Sequence, residues 1–243
     1  MQYGYKPDEI YDIFNNYAKK IKYFDKVNIK RFFKNLLTGD GVLIDGLNSG
    51  TEINRLMTEL CFKKNVKNIS QIKMPLLIPA VNIYNEDLIV FSNNIHANTG
   101  DDIIYINDVD IGTAVQASCS YPGIFSPCKY NDKLLIDGGI AENVPWRETK
   151  RAGADKVLSI VFEEDNKKCC SNILEILNKS FSILCHELSK HEWDGTDYLL
   201  KIKTSSTSLL KSKNTSGLYE AGYTQTKKEI QKIKEKIYQQ NIL

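Results

Sequence analysis

Ala117-Ser118-Cys119-Ser120-Tyr121-Pro122-Gly123-Ile124-Phe125-Ser126-Pro127, followed ten residues later by Asp137-Gly138-Gly139-Ile140-Ala141-Glu142-Asn143-Val144-Pro145, is the most informative stretch of this chain. Small residues near 111–119 predict a helix that ends at Tyr121-Pro122-Gly123. Lys133-Leu134-Leu135-Ile136 then predicts a strand running into a glycine turn at Asp137. Two glycines after the aspartate let the backbone turn sharply and leave the carboxylate facing an open cleft, where a base is useful. An isolated Asp-Gly-Gly is more often a plain turn, so the weight falls on its neighbours.

Outward from this stretch, helices and strands alternate. Upstream, Pro7 with Asp8 and Glu9, and Ile10, Phe14, Tyr17 and Ile21 at helical spacing, predict a helix over about 7–22. Further helices are expected near 28–37 and 51–63, and strands at 75–84 and 88–91 joined by Asn85-Glu86-Asp87, then at 103–106. Downstream come a helix near 146–152, a strand over 156–162, a helix over about 171–190, a strand over 198–203, a polar loop at 204–217 and a helix over about 218–239. This alternation argues an α/β sandwich built on a central sheet, with no repeat and no domain linker.

In order, Ala117-Ser118-x-x-x-Pro122-x-x-Phe125, Asp137-Gly138-Gly139, Asn143-x-Pro145 and Gly153-Ala154-Asp155 resemble the second catalytic block of the patatin-like phospholipase family. More loosely, Gly4-Tyr5-Lys6-Pro7-Asp8-Glu9-Ile10 resembles that family's turn into a helix. The resemblance implies a three-layer α/β/α sandwich with a central, mostly parallel sheet, here lacking the N-terminal strands and the nucleophile helix. It implies one incomplete domain over 1–243, with a core at 1–165 and a C-terminal extension at 166–243. It also implies lipid acyl hydrolysis by a serine–aspartate dyad without histidine. Asp137 is then the proton acceptor, Gly138, Gly139, Asn143 and Pro145 complete the motif, and no metal or cofactor is needed. The partners implied are a lipid ester and a membrane surface on which to meet it. A carboxylate is a weak base in water, so such a dyad needs a partly desolvated cleft and a close serine hydroxyl.

The family's nucleophile sits in a G-x-S-x-G elbow, and no such motif occurs in the sequence. Gly46-Leu47-Asn48-Ser49-Gly50 has its serine one place late, and is read as a loop without a preceding strand, Ser49 or Thr51 capping the helix that follows. The resemblance places the elbow before Met1. On that expectation the chain is inactive by itself, exposes strand edges and apolar surface, and is poorly soluble. A non-catalytic remnant or lipid-binding module of the same fold is the alternative. A Ser-His-Asp triad lacks both its elbow and a well-placed late histidine.

The bulk numbers agree with a globular chain. Of 243 residues, 42% are hydrophobic, and 32 basic against 30 acidic residues leave a charge of +2, which gives no field to gather nucleic acid. No apolar run reaches the roughly 18 residues of a membrane span and no signal layout opens the chain, so a soluble, cytoplasmic protein is expected. Six cysteines at 61, 119, 128, 169, 170 and 185 lack metal or redox spacing and read as free buried thiols. His186 and His191 do not share a helix face, which argues against a metal pair. The Lys- and Glu-rich C-terminal helix, with Ile230, Ile233 and Ile237 in one stripe, reads as a docking helix rather than a membrane-surface helix.

Overall fold

A computed structural model describes residues 5–18, 46–94, 103–164, 173–204 and 215–238. The helix expected at 28–37, His96, Cys169 and Cys170 lie outside them. By packing, the chain divides into two compact units, one of residues 22–143 and the other of residues 3–21 with 144–243.

The first unit holds β1 (Gly46–Asn48), α2 (Thr51–Phe62), β2 (Leu77–Asn82), β3 (Leu88–Ser92), β4 (Ile103–Ile106), α3 (Ile111–Ser118), β5 (Gly123–Phe125), β6 (Cys128–Tyr130) and β7 (Lys133–Asp137). Five strands form one sheet in the order β4-β3-β2-β7-β6, while β1 and β5 pair separately. The β2–β3 hairpin forms where Asn85-Glu86-Asp87 predicts a turn, with Glu86 at a φ of 66° and its N–H donating to the Asn82 carbonyl at 2.8 Å. Ala80, Ile89, Val90, Phe91, Ala114, Ala117 and Leu135 are buried among the core residues of this unit. Gly112 lets α3 lie against α2, since a Cβ there would come within 2.6 Å of the Asn54 carbonyl oxygen. Asn54 also donates to Thr113 and Gln116, at 3.2 and 3.1 Å.

The second unit holds α1 (Pro7–Ala18), α4 (Trp146–Arg151), β8 (Leu158–Glu164), α5 (Ile173–Glu192), β9 (Tyr198–Thr204) and α6 (Thr215–Tyr238). β8 and β9 run parallel in register from Leu158↔Tyr198 to Glu164↔Thr204. Ile233 of α6 packs on Leu200 and Ile202, with Tyr198 and Ile237 beside them, so the C-terminal helix docks through Ile233 and Ile237, whereas Ile230, expected in the same stripe, is exposed. Just before β9, Asp197 accepts from the Val157 N–H at 2.8 Å, from Lys156 at 3.0 Å and from Lys150 at 3.1 Å. These donors, the Val157 N–H foremost, hold its carboxyl well below the usual carboxylate range.

The described strands and helices make an α/β protein. Its strand pairings are mixed, three parallel and three antiparallel: the short turns of the β2–β3 and β6–β7 hairpins can only return the chain antiparallel, and β2–β7 is the third such pair.

The two edges of the β8–β9 pair differ. Gln225 of α6 closes the outer side of β9 at Lys203, accepting from its N–H and donating to its carbonyl, both at 2.9 Å. β8 has no second strand partner among the described residues. Along it, Leu158, Ile160 and Phe162 are 39%, 55% and 72% exposed and alternate on one face, an arrangement prone to pairing with other chains. α5 adds exposed Leu177, Phe181, Leu184 and Leu188. The isolated chain is therefore expected to be poorly soluble, and Ile160→Lys with Phe162→Lys is expected to raise the soluble fraction. Size-exclusion chromatography checks this; a monodisperse wild-type monomer with a cooperative thermal transition would sink it.

Candidate active site

Asp137 ends β7, whose pairing with β2 sets Asp137 opposite Ala80. Its own N–H donates to the Ser120 carbonyl at 3.1 Å, tying the strand end to the segment after α3. The carboxylate is half-buried and accepts from the Gly139 N–H at 2.8 Å. Burial pushes its proton affinity above that of an ordinary aspartate, and the Gly139 hydrogen bond offsets part of the shift. Partial burial of this kind is one of the two conditions for a carboxylate base, a close hydroxyl being the other.

The chain does turn at the two glycines, but without a left-handed backbone. Neither Gly138 nor Gly139 has a positive φ. The two open a 3-10 turn over Gly138–Ile140, and what excludes a side chain is space. A Cβ on Gly138 would collide with the Pro79 carbonyl, coming within 2.6 Å of its carbon. On Gly139 it would stand 3.1 Å from Asp137 Oδ1 and 3.3 Å from Asn143 Oδ1, so the Asp137 and Asn143 side chains flank this glycine. Asn143 is exposed and ends the first unit, while Pro145 precedes α4 as its N-cap residue in the second.

Around Gly46–Gly50 two expectations need correction. A strand does precede the serine, because Gly46–Asn48 pairs parallel with Gly123–Phe125. Three residues are too short to show a strand period in sequence. Nor does Ser49 or Thr51 cap α2: the N-cap residue is Gly50 at a φ of 71°, with no side-chain cap. Asn48 accepts from the Gly50 N–H at 2.8 Å, and the Ser49 and Thr51 hydroxyls bond each other at 2.9 Å. Thr51 is already the first residue inside the helix, where its hydroxyl cannot take the cap position.

Two further neighbours of Asp137 stand at positions that the family motif leaves open. Ser120 is buried and donates back to the Gln116 carbonyl at 2.8 Å. The Cys119 thiol is pushed up by burial and, secondly, by the negative charge of Asp137, so it stays neutral beside the carboxylate. Neither position is set by the motif, and no local signal could have placed them there. Among the described residues Cys61, Cys119, Cys128 and Cys185 form no disulfide, and of these four Cys128 alone is buried, where all were expected to be. Among the described residues no cluster of His, Cys, Asp and Glu could hold a metal ion.

The family model of the patatin-like phospholipases matches residues 1–150, well over half of the chain and including the Asp137 turn. The chain belongs to this family. A lysophospholipase NTE1 of Meyerozyma guilliermondii is 37% identical over 46 residues, a match that covers 19% of this chain and 3% of that protein. This patatin-like chain thus spans a small part of that relative's length. Among the described residues no helix is long and apolar enough to cross a membrane.

Proposed function

We propose that Asp137 is the general base of a serine–aspartate dyad for hydrolysis of phospholipid or other lipid acyl esters, within one patatin-like domain spanning the chain. The carboxylate at the end of β7, half-buried and of raised proton affinity, is the observation that carries this. In the reaction, a serine Oγ gives its proton to the Asp137 carboxylate as it attacks the ester carbonyl. The alcohol leaves with a proton returned from Asp137, and a water activated by the same carboxylate then cleaves the acyl-enzyme. The Gly139 N–H holds the carboxylate in place without supplying a proton.

The nucleophile belongs to a G-x-S-x-G motif, and these 243 residues contain none. The chain by itself is therefore expected to bind lipid esters without turning them over. Purified protein assayed on a lysophospholipid and on a soluble aryl ester checks this. Turnover that is lost in Ser49→Ala would show that the strand–turn–helix at Gly46–Phe62 supplies a serine after all, and would overturn the expectation. Reading the DNA upstream of Met1 for an in-frame elbow separates the hydrolase from a lipid-binding remnant: binding with no elbow and no turnover favours the remnant.

A further inference from the structure

We propose that the outward strip of α6 docks on an anionic phospholipid surface, an inference that rests on the lipid substrate class above and assigns it a place on the molecule. At 100° per residue, Tyr223, Lys227, Ile230, Lys234 and Tyr238 fall in one strip along α6. It lies to one side of the stripe through Ile233 and Ile237 that holds the helix on β9. The strip faces water: Tyr223 is 56%, Ile230 37% and Tyr238 77% exposed.

The strip is ordered in advance. The Tyr219 and Tyr223 rings stack with centroids 6.5 Å apart, Tyr11 of α1 packs on Tyr219 at 4.7 Å, and Lys227 Nζ lies 5.7 Å from the Tyr223 ring. Charge complementarity decides the partner. From 227 to 236 the helix carries five lysines against two glutamates, and one of those, Glu229, is taken up by Lys232 at 3.0 Å and the Tyr198 hydroxyl at 2.8 Å. Glu220 is the exposed acidic residue near the start of the strip, and Asp8, Glu9 and Asp12 lie on α1.

Tyrosines with one isoleucine between lysines suit the boundary between headgroups and acyl chains, where rings sit half-wet and lysine stems lie along apolar surface with the ammonium outward. A protein partner is a poorer fit, since lysine is depleted from the cores of protein interfaces. An anionic leaflet also attracts a basic helix at physiological salt.

Sedimentation of the 243-residue protein with vesicles of phosphatidylcholine, alone or mixed with phosphatidylserine, tests the proposal. Binding is expected to be stronger on the mixed vesicles and to fall with salt. Lys227→Glu with Lys234→Glu should weaken it at least about 10-fold. Tyr223→Ser with Tyr238→Ser should weaken it on both vesicle types, circular dichroism confirming the fold in each case. Equal binding to the two vesicle types, no binding, or variants that bind like wild type would overturn it. Each comparison is repeated with Ile160→Lys and Phe162→Lys in place: binding that survives supports the α6 strip, and binding that vanishes assigns it to the β8 face instead. Vesicle binding is read without turnover. Binding without ester hydrolysis in an elbow-bearing form would leave the docking standing and sink the dyad, whereas hydrolysis of soluble esters without vesicle binding would sink the docking alone.

Discussion

Asp137→Asn is expected to abolish ester hydrolysis in a polypeptide that joins these residues to a Gly-x-Ser-x-Gly segment, and at the same time to raise the thermal midpoint of the fold. Loss of a general base costs about 100- to 10,000-fold in rate. Asparagine keeps an oxygen for the Gly139 N–H, which Asp137 accepts at 2.8 Å, so the loss would report the proton and not the geometry. The stability gain follows from the same burial. Because the folded state holds the proton on Asp137 more tightly than the unfolded chain does, the ionised carboxylate costs stability above the unfolded pKa. That cost vanishes below it, where both states are protonated. The variant's advantage should thus be present at neutral pH and disappear as pH falls through the ordinary carboxylate range near about 4. Thermal melts across pH check the second half and initial rates the first. Near-wild-type activity in Asp137→Asn would remove the base assignment.

Gly138→Ala should cost about 3 kcal/mol of stability, among the larger effects of adding a single methyl group to this fold. The new Cβ would stand within 2.6 Å of the Pro79 carbonyl carbon and closer still to its oxygen, and both are backbone atoms of the neighbouring strand β2. Neither can swing aside, so β2 and β7 must part where Ala80 pairs with Asp137. Gly139→Ala makes the contrast. Its Cβ would meet only the tips of Asp137 and Asn143, at 3.1 and 3.3 Å, which can turn away. Denaturant melts should show Gly139→Ala within about 1 kcal/mol of wild type. Activity in the elbow-bearing form should nonetheless fall, because the carboxylate would be displaced. Equal stability losses in the two variants would show that space at Pro79 is not what keeps Gly138 a glycine.

How much of this was legible beforehand depended on the range of the interaction. Thr51–Phe62, Ile111–Ser118, Leu88–Ser92 and Tyr198–Thr204 lie within a residue or two of where periodicity and turn residues place them, since those signals are local. The aspartate at a strand end and the ordered motif from Ala117 to Asp155 were equally readable, and they led to the family that the matched residues 1–150 confirm. The three-residue strands β1, β5 and β6 were not readable, because partners held through pairing, and not their own sequence, make them strands.

The sequence by itself determined the α/β class, the family and the candidate base, because each is written in neighbouring side chains and their spacing. The tertiary structure alone decided that the Pro79 carbonyl leaves no room for a side chain at Gly138, and that Cys119 and the Ser120 carbonyl stand beside Asp137. It alone decided that Gln225 closes the outer side of β9 at Lys203 while β8 has no second strand partner among the described residues, and that Ile233 of α6 is buried while Tyr223, Ile230 and Tyr238 face water. Each of these depends on the approach of groups far apart in the chain, which no local pattern encodes.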